Sequence, residues 1–97
     1  MECNTLNYMT QDCLNLIRDL ALALTPISDM ALLMGIPEST LRLELGDRST
    51  DASRIYRTAR AETALRLRKR DMELAEAGSP SAAEAVSVHY RRMIQDE

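Results

Sequence analysis

The chain has no Trp and no Phe, and its aromatic content is three Tyr. With only two Val as well, it is poor in the residues from which strands are built, so no sheet is expected. The 45% that is hydrophobic is mainly Leu, Ala, Met and Ile, which favour helix. Cysteine is equally scarce. Cys3 and Cys13 stand ten positions apart with no CxxC pair, and the single histidine, His89, is far from both, which excludes the usual zinc patterns. No charged start leads into an apolar run and a small-residue cleavage site, and no apolar run approaches the roughly 20 residues that span a bilayer. The expectation is a cytoplasmic protein with no membrane contact and both thiols reduced. With a single histidine, no catalytic-looking cysteine setting and no Gly-rich phosphate loop, neither a triad nor a P-loop is expected, and with them no enzyme activity, cofactor or metal.

What is present is charge, unevenly placed. Between positions 54 and 70 there are seven bases (Arg54, Arg57, Arg60, Arg66, Arg68, Lys69, Arg70) and one acid, Glu62. That segment carries +6, so the remainder of a chain with net charge −3 carries −9. A polyanion close to the surface meets such local clusters and not the total.

Length and periodicity together predict one all-α domain over residues 1–97, with about five helices. Leu6, Met9, Cys13, Leu16, Ile17, Leu20 and Leu24 fall on one face of a first helix, which Thr25-Pro26 ends. Two short helices follow, at 27–34 and 38–45, divided by Gly35-Ile36-Pro37 and closed by Gly46-Asp47. Ser49 or Thr50 caps a long basic helix over 50–77 that Gly78 stops. A last helix covers 80–94, started either by Ser79 with Pro80 or by a Ser81–Glu84 capping box, and its apolar stripe is Val86, Tyr90 and Met93. Asp47 and Asp51 read as loop caps and solvated charges, His89 as a surface or packing residue, and the methionines as core or interface filler.

Within residues 25–45, Ala31 is small enough for close approach of two helices, Gly35 suits the positive φ of a tight turn, and Ile36 can plug the corner. Leu41 points back into the core, and Met30, Leu33 and Met34 cover the other side. This order resembles the helix-turn-helix family of DNA-binding domains. Such motifs bury a further apolar residue three positions after Leu41, where this chain has Glu44; Leu45 lies on the same face and can substitute. The resemblance implies that Ser39, Thr40, Arg42 and Leu43 are the candidates for base contacts in double-stranded DNA. On a helical wheel Arg54, Arg57, Arg68 and Lys69 fall on the outer half of the long helix and are the candidates for phosphate contacts.

A wider resemblance joins this motif to the basic Tyr56-Arg57-Thr58-Ala59-Arg60-Ala61-Glu62 stretch and to Leu74-Ala75-Glu76-Ala77-Gly78-Ser79-Pro80-Ser81-Ala82. The succession looks like small phage terminase subunits and related proteins of mobile elements. It implies a non-enzymatic DNA-recognition protein whose later helices assemble subunits. The pattern itself leaves one stripe of the long helix for its own core (Ala52, Tyr56, Ala59, Thr63, Leu67, Leu74). A second stripe, Ala61, Leu65, Arg68, Met72 and Ala75, lies about 180° away, so Ala61, Leu65, Met72 and Ala75 are candidates for self-association into a homo-oligomer. The alternative function is a helical adaptor that docks on a protein partner with Leu43 outward.

Overall fold

Proline and glycine set most of the helix boundaries. The computed structural model describes residues 10–97, and these form five α-helices with no strand among them: α1 Gln11–Leu22, α2 Ile27–Met34, α3 Glu38–Gly46, α4 Asp51–Glu76 and α5 Pro80–Asp96. The chain is all-α, as its composition requires. None of these helices is long and apolar enough to cross a membrane.

Thr10 caps α1, its hydroxyl accepting from the Cys13 N–H at 3.2 Å. The expected start at Leu6, together with Met9 and Cys3, lies outside the described residues. Cys13 itself is buried and disulfide-bonded, which corrects the expectation of a reduced thiol there. Three helices end in the same way. After α1, α2 and α4 a residue with positive φ reverses the chain: Leu24 (57°), Gly35 (73°) and Gly78 (101°). In each case the following N–H reaches back five residues, from Thr25 to Leu20, Ile36 to Ala31 and Ser79 to Leu74, at 3.0 to 3.1 Å. This is the Schellman arrangement, which satisfies carbonyls the helix cannot pair internally. Of the two possible starts for α5, Ser79 is used: its hydroxyl accepts from the Ala82 N–H at 3.3 Å, with Pro80 in the first turn.

Where the sequence reads as one domain, the helices fall into two compact units, Met1–Thr63 and Ala64–Glu97. Helix α4 contributes its first half to one and its second half to the other. In the first unit, α1 supplies Cys13, Ile17 and Ala21, α2 Met30, Ala31 and Met34, α3 Leu41 and Leu45, and α4 Ala52, Tyr56 and Ala59. Ile17, Met30, Met34 and Leu41 are wholly enclosed, and burying each stabilises by about 1.5–3 kcal/mol. The core that α2 and α3 share is as expected for Ala31, Leu41 and Leu45, and Ile36 packs half-buried at the corner. Leu33 departs from expectation: it is exposed, because Met30 and Met34, one helical turn apart, already fill the inward face of α2.

Polar groups inside this unit are satisfied. Thr63 donates its hydroxyl to the Leu22 carbonyl at 2.6 Å, tying α4 to the last turn of α1. Buried Ser53 accepts from Arg57 Nε at 3.2 Å. At the surface Arg18 pairs with Glu62 at 3.1 Å, and Arg60 lies 5.2 Å from the centre of the Tyr56 ring.

The second unit is a helical hairpin in which His89 Nε2 meets Asp71 Oδ2 at 2.9 Å. Its inner surface is small: Ala82 is buried, and Ala64, Asp71, Ala75, Ala85, Val86 and His89 are half-buried. Two expectations are corrected here. Leu67 and Leu74 are exposed and not core residues, and so are Tyr90 and Met93. The small residues Ala64, Ala75, Ala82 and Ala85 make up much of the covered surface, and the larger side chains stay exposed beside it.

Candidate nucleic-acid interface

The exposed side of α3 follows from its anchoring. Leu41 and Leu45, four positions apart, fix one face in the core. At 100° per residue Ser39, Thr40, Arg42 and Leu43 then occupy an arc of about 160° on the opposite side. All four are exposed, and Leu43 keeps 77% of its surface open. The base-contact candidates are therefore brought together on one surface. Glu38 and Glu44 border it, and Glu38 Oε2 accepts from Arg42 Nε at 2.8 Å. Such an exposed pair is worth about 0–1 kcal/mol, so it orients the guanidinium without locking it.

Neither α2 nor α3 has a side-chain cap at its start, since each is preceded by proline, at Pro26 and Pro37. Their first N–H groups are open to an anion, although Asp29 and Glu38 stand in those first turns.

At the other end of α3 a tight loop leads to α4. Asp47 accepts from the Ser49 hydroxyl at 2.6 Å and from the Ser49 N–H at 3.0 Å; these two bonds, the side-chain one first, hold its carboxyl below the ordinary aspartate value. Thr50 shares its hydroxyl proton between the Glu44 and Asp47 carbonyls and accepts from the Ser53 N–H at 3.0 Å, so it caps α4 and ties the loop to α3. Asp47 and Asp51 are thus the loop cap and surface charge that were expected, Asp51 pairing with Arg54 at 2.7 Å.

The phosphate candidates are divided. Arg54 and Arg57 belong to the first unit, Arg68 and Lys69 to the second. Arg54 is exposed. Arg57 is half-buried and partly engaged in structure, since it also donates to the Arg48 carbonyl at 3.4 Å. It is therefore less open than a place on the outer half of the helix suggests. Arg68 and Lys69 are exposed, as are Ala61, Leu65 and Met72 among the self-association candidates, whereas Ala75 is half-buried. One base escaped the sequence argument. Arg48 lies outside the basic run, yet it is exposed in the loop that Thr50 fastens to α3. Its position directly after the second helix of the motif was the available signal.

Among the described residues no three His, Cys, Asp or Glu side chains are grouped so as to hold a metal ion. No protein family, characterised protein or solved structure matches this chain.

Proposed function

We propose that this chain binds double-stranded DNA through the outer face of α3, as a non-enzymatic recognition protein of the kind found in phage and mobile-element systems, resembling terminase small subunits. It acts as a homo-oligomer. The observation that supports the DNA reading best is a two-helix unit whose second helix is anchored by Leu41 and Leu45 and turns Ser39, Thr40, Arg42 and Leu43 outward together. Serine, threonine and arginine can bond base edges in a major groove, and leucine can meet a thymine methyl. Arg48, and Arg54 on exchanging its exposed Asp51 partner, are the bases of the same unit that meet phosphate, because Arg57 is already used within the fold.

A second reading is favoured by Leu43 and by the Glu38–Arg42 pair. An apolar side chain so open, beside a guanidinium already matched to a carboxylate, suits a protein partner, with α3 as a docking helix.

Titration of duplex DNA at two salt concentrations separates the two. On the DNA reading, Arg54→Ala weakens binding and reduces the salt slope by about 0.9, the value for one phosphate contact. Arg42→Ala weakens binding with loss of sequence preference. Absence of binding by the parent in low salt overturns the DNA reading and leaves the adaptor.

A further inference from the structure

We propose that Ala64–Glu97 pairs with the same segment of a second copy of this chain, running in the opposite direction, to make an antiparallel four-helix bundle. This rests on the homo-oligomer reading above and adds the geometry of the contact.

The first ground is how little this unit encloses. Ala82 is its only buried residue, while Leu65, Leu67, Met72, Leu74, Val88, Tyr90, Met93 and Ile94 are between 41% and 61% exposed. A unit below about 40 residues generally needs a metal, disulfides or association to be stable. The unit contains no cysteine, and no metal cluster occurs among the described residues. The exposed side chains are also regularly spaced. Leu65 and Met72 are seven positions apart, as are Leu67 and Leu74, and Tyr90 stands three positions before Met93 and four before Ile94. That is the spacing with which helices seat against helices in a bundle.

The second ground is charge, and it selects the occupant. From position 71 through 88, around the turn, the unit carries Asp71, Glu73, Glu76 and Glu84 and no Lys or Arg. Its open end carries Arg66, Arg68, Lys69, Arg70, Arg91 and Arg92, against Asp96 and Glu97. The hairpin is thus basic at one end and acidic at the other. A parallel copy would set bases against bases. An antiparallel copy sets each basic end against an acidic end, twice, about one two-fold axis, and the contact closes on itself. The centres of the two clusters on α4 are about five residues, or roughly 8 Å, apart along the helix. That is close to the screening length at physiological salt, so the ends act as separate charges and salt weakens their attraction.

The test uses the full chain in sedimentation equilibrium. The parent dimerises, and raising the salt to molar levels weakens the dimer; a parallel pair would be tightened by the same change. Two variants sharpen this. Glu73→Lys with Glu76→Lys makes the acidic end basic, and Arg66→Glu with Arg70→Glu makes the basic end acidic. All four positions are exposed, so both variants keep the parent's helical circular dichroism. Each alone dimerises at least tenfold more weakly than the parent, and a one-to-one mixture recovers association. Variants that dimerise like the parent, a mixture that stays monomeric, or a parent dimer tightened by salt each overturn the antiparallel geometry while leaving self-association intact. A parent that remains monomeric at high micromolar concentration overturns self-association itself and leaves the apolar rows to a different protein.

Discussion

Among the described residues, the unit ending at Thr63 buries thirteen side chains and Ala64–Glu97 buries one. Overall hydrophobic content does not explain the difference, because it is similar in the two segments, although the second has only three Leu. Helix arrangement does. Three short helices and the start of α4 surround Met30, Met34 and Leu41 from several directions, so a side chain pointing inward is covered on every side. Two helices side by side have one contact strip each. Alanines occupy that strip in the second unit, and Leu65, Met72, Leu67 and Leu74 flank it half-covered. The same residue types therefore give a closed core in one region and an open apolar surface in the other.

The sharpest way to break this contrast is to place a charge in each region. Leu41→Asp puts an unpaired carboxylate among Met30, Met34 and Leu45 and is expected to cost several kcal/mol, enough to unfold the first unit near room temperature. Met72→Glu, measured in dilute solution, is expected to cost far less, about 1 kcal/mol or below, because half of the side chain is already in water and a carboxylate there stays hydrated. Thermal melts followed by circular dichroism read both. A Leu41→Asp protein that melts with the parent overturns the packing of Leu41 against α2.

A smaller effect tests how the first unit is closed. Thr63 reaches 41 residues back to the Leu22 carbonyl, a group at the end of α1 with no helical partner. Thr63→Val keeps the shape, removes the donor and is expected to cost about 1–3 kcal/mol; Thr63→Ser, which retains the hydroxyl, recovers most of it. Urea denaturation of the three proteins measures the difference. Equal midpoints for valine and threonine would mean that water serves the Leu22 carbonyl as well as Thr63 does.

Much of the first unit was legible in the sequence because local signals and packing agree there. Pro26, Gly35 and Pro37 mark the ends of α2 and α3, and the spacing of Ala31, Leu41 and Leu45 specifies what the helices bury. The outward set Ser39, Thr40, Arg42 and Leu43 then follows from periodicity alone. The second unit was less legible because periodicity shows that a stripe exists but not which stripe a neighbour covers. Leu67 and Leu74 continue the row of Tyr56 and Thr63, yet the strip used in the hairpin is the row of Ala64, Asp71 and Ala75, selected by small size and by the bond from His89 to Asp71. Arg57 is less open than its place on the wheel suggests for a related reason: a wheel gives direction, but not the Arg48 carbonyl that waits there. The end of α1, expected at Thr25-Pro26, falls two residues before Leu24, since no glycine announces the left-handed turn there.

That turn gives the last and smallest comparison between the units. Gly78 in the second unit and Leu24 in the first occupy the same position of the same helix-ending motif, both at positive φ. An L-residue in that region costs about 1–2 kcal/mol, which glycine avoids. A Cβ added at Gly78 meets nothing within 4 Å, so Gly78→Ala is a test of backbone conformation alone, and a loss of about 1 kcal/mol or more is expected. Leu24→Gly runs the other way. It relieves the strain but gives the unfolded chain more freedom, a penalty of about 0.4–1 kcal/mol, and it loses what packing a half-exposed leucine provides. The expected result is a gain of about 0.5 kcal/mol, read as a raised urea midpoint with an unchanged slope. A clear fall in the midpoint for Leu24→Gly would show that the Leu24 side chain contributes more by contact than its backbone costs, and that the two helix ends are alike in geometry only.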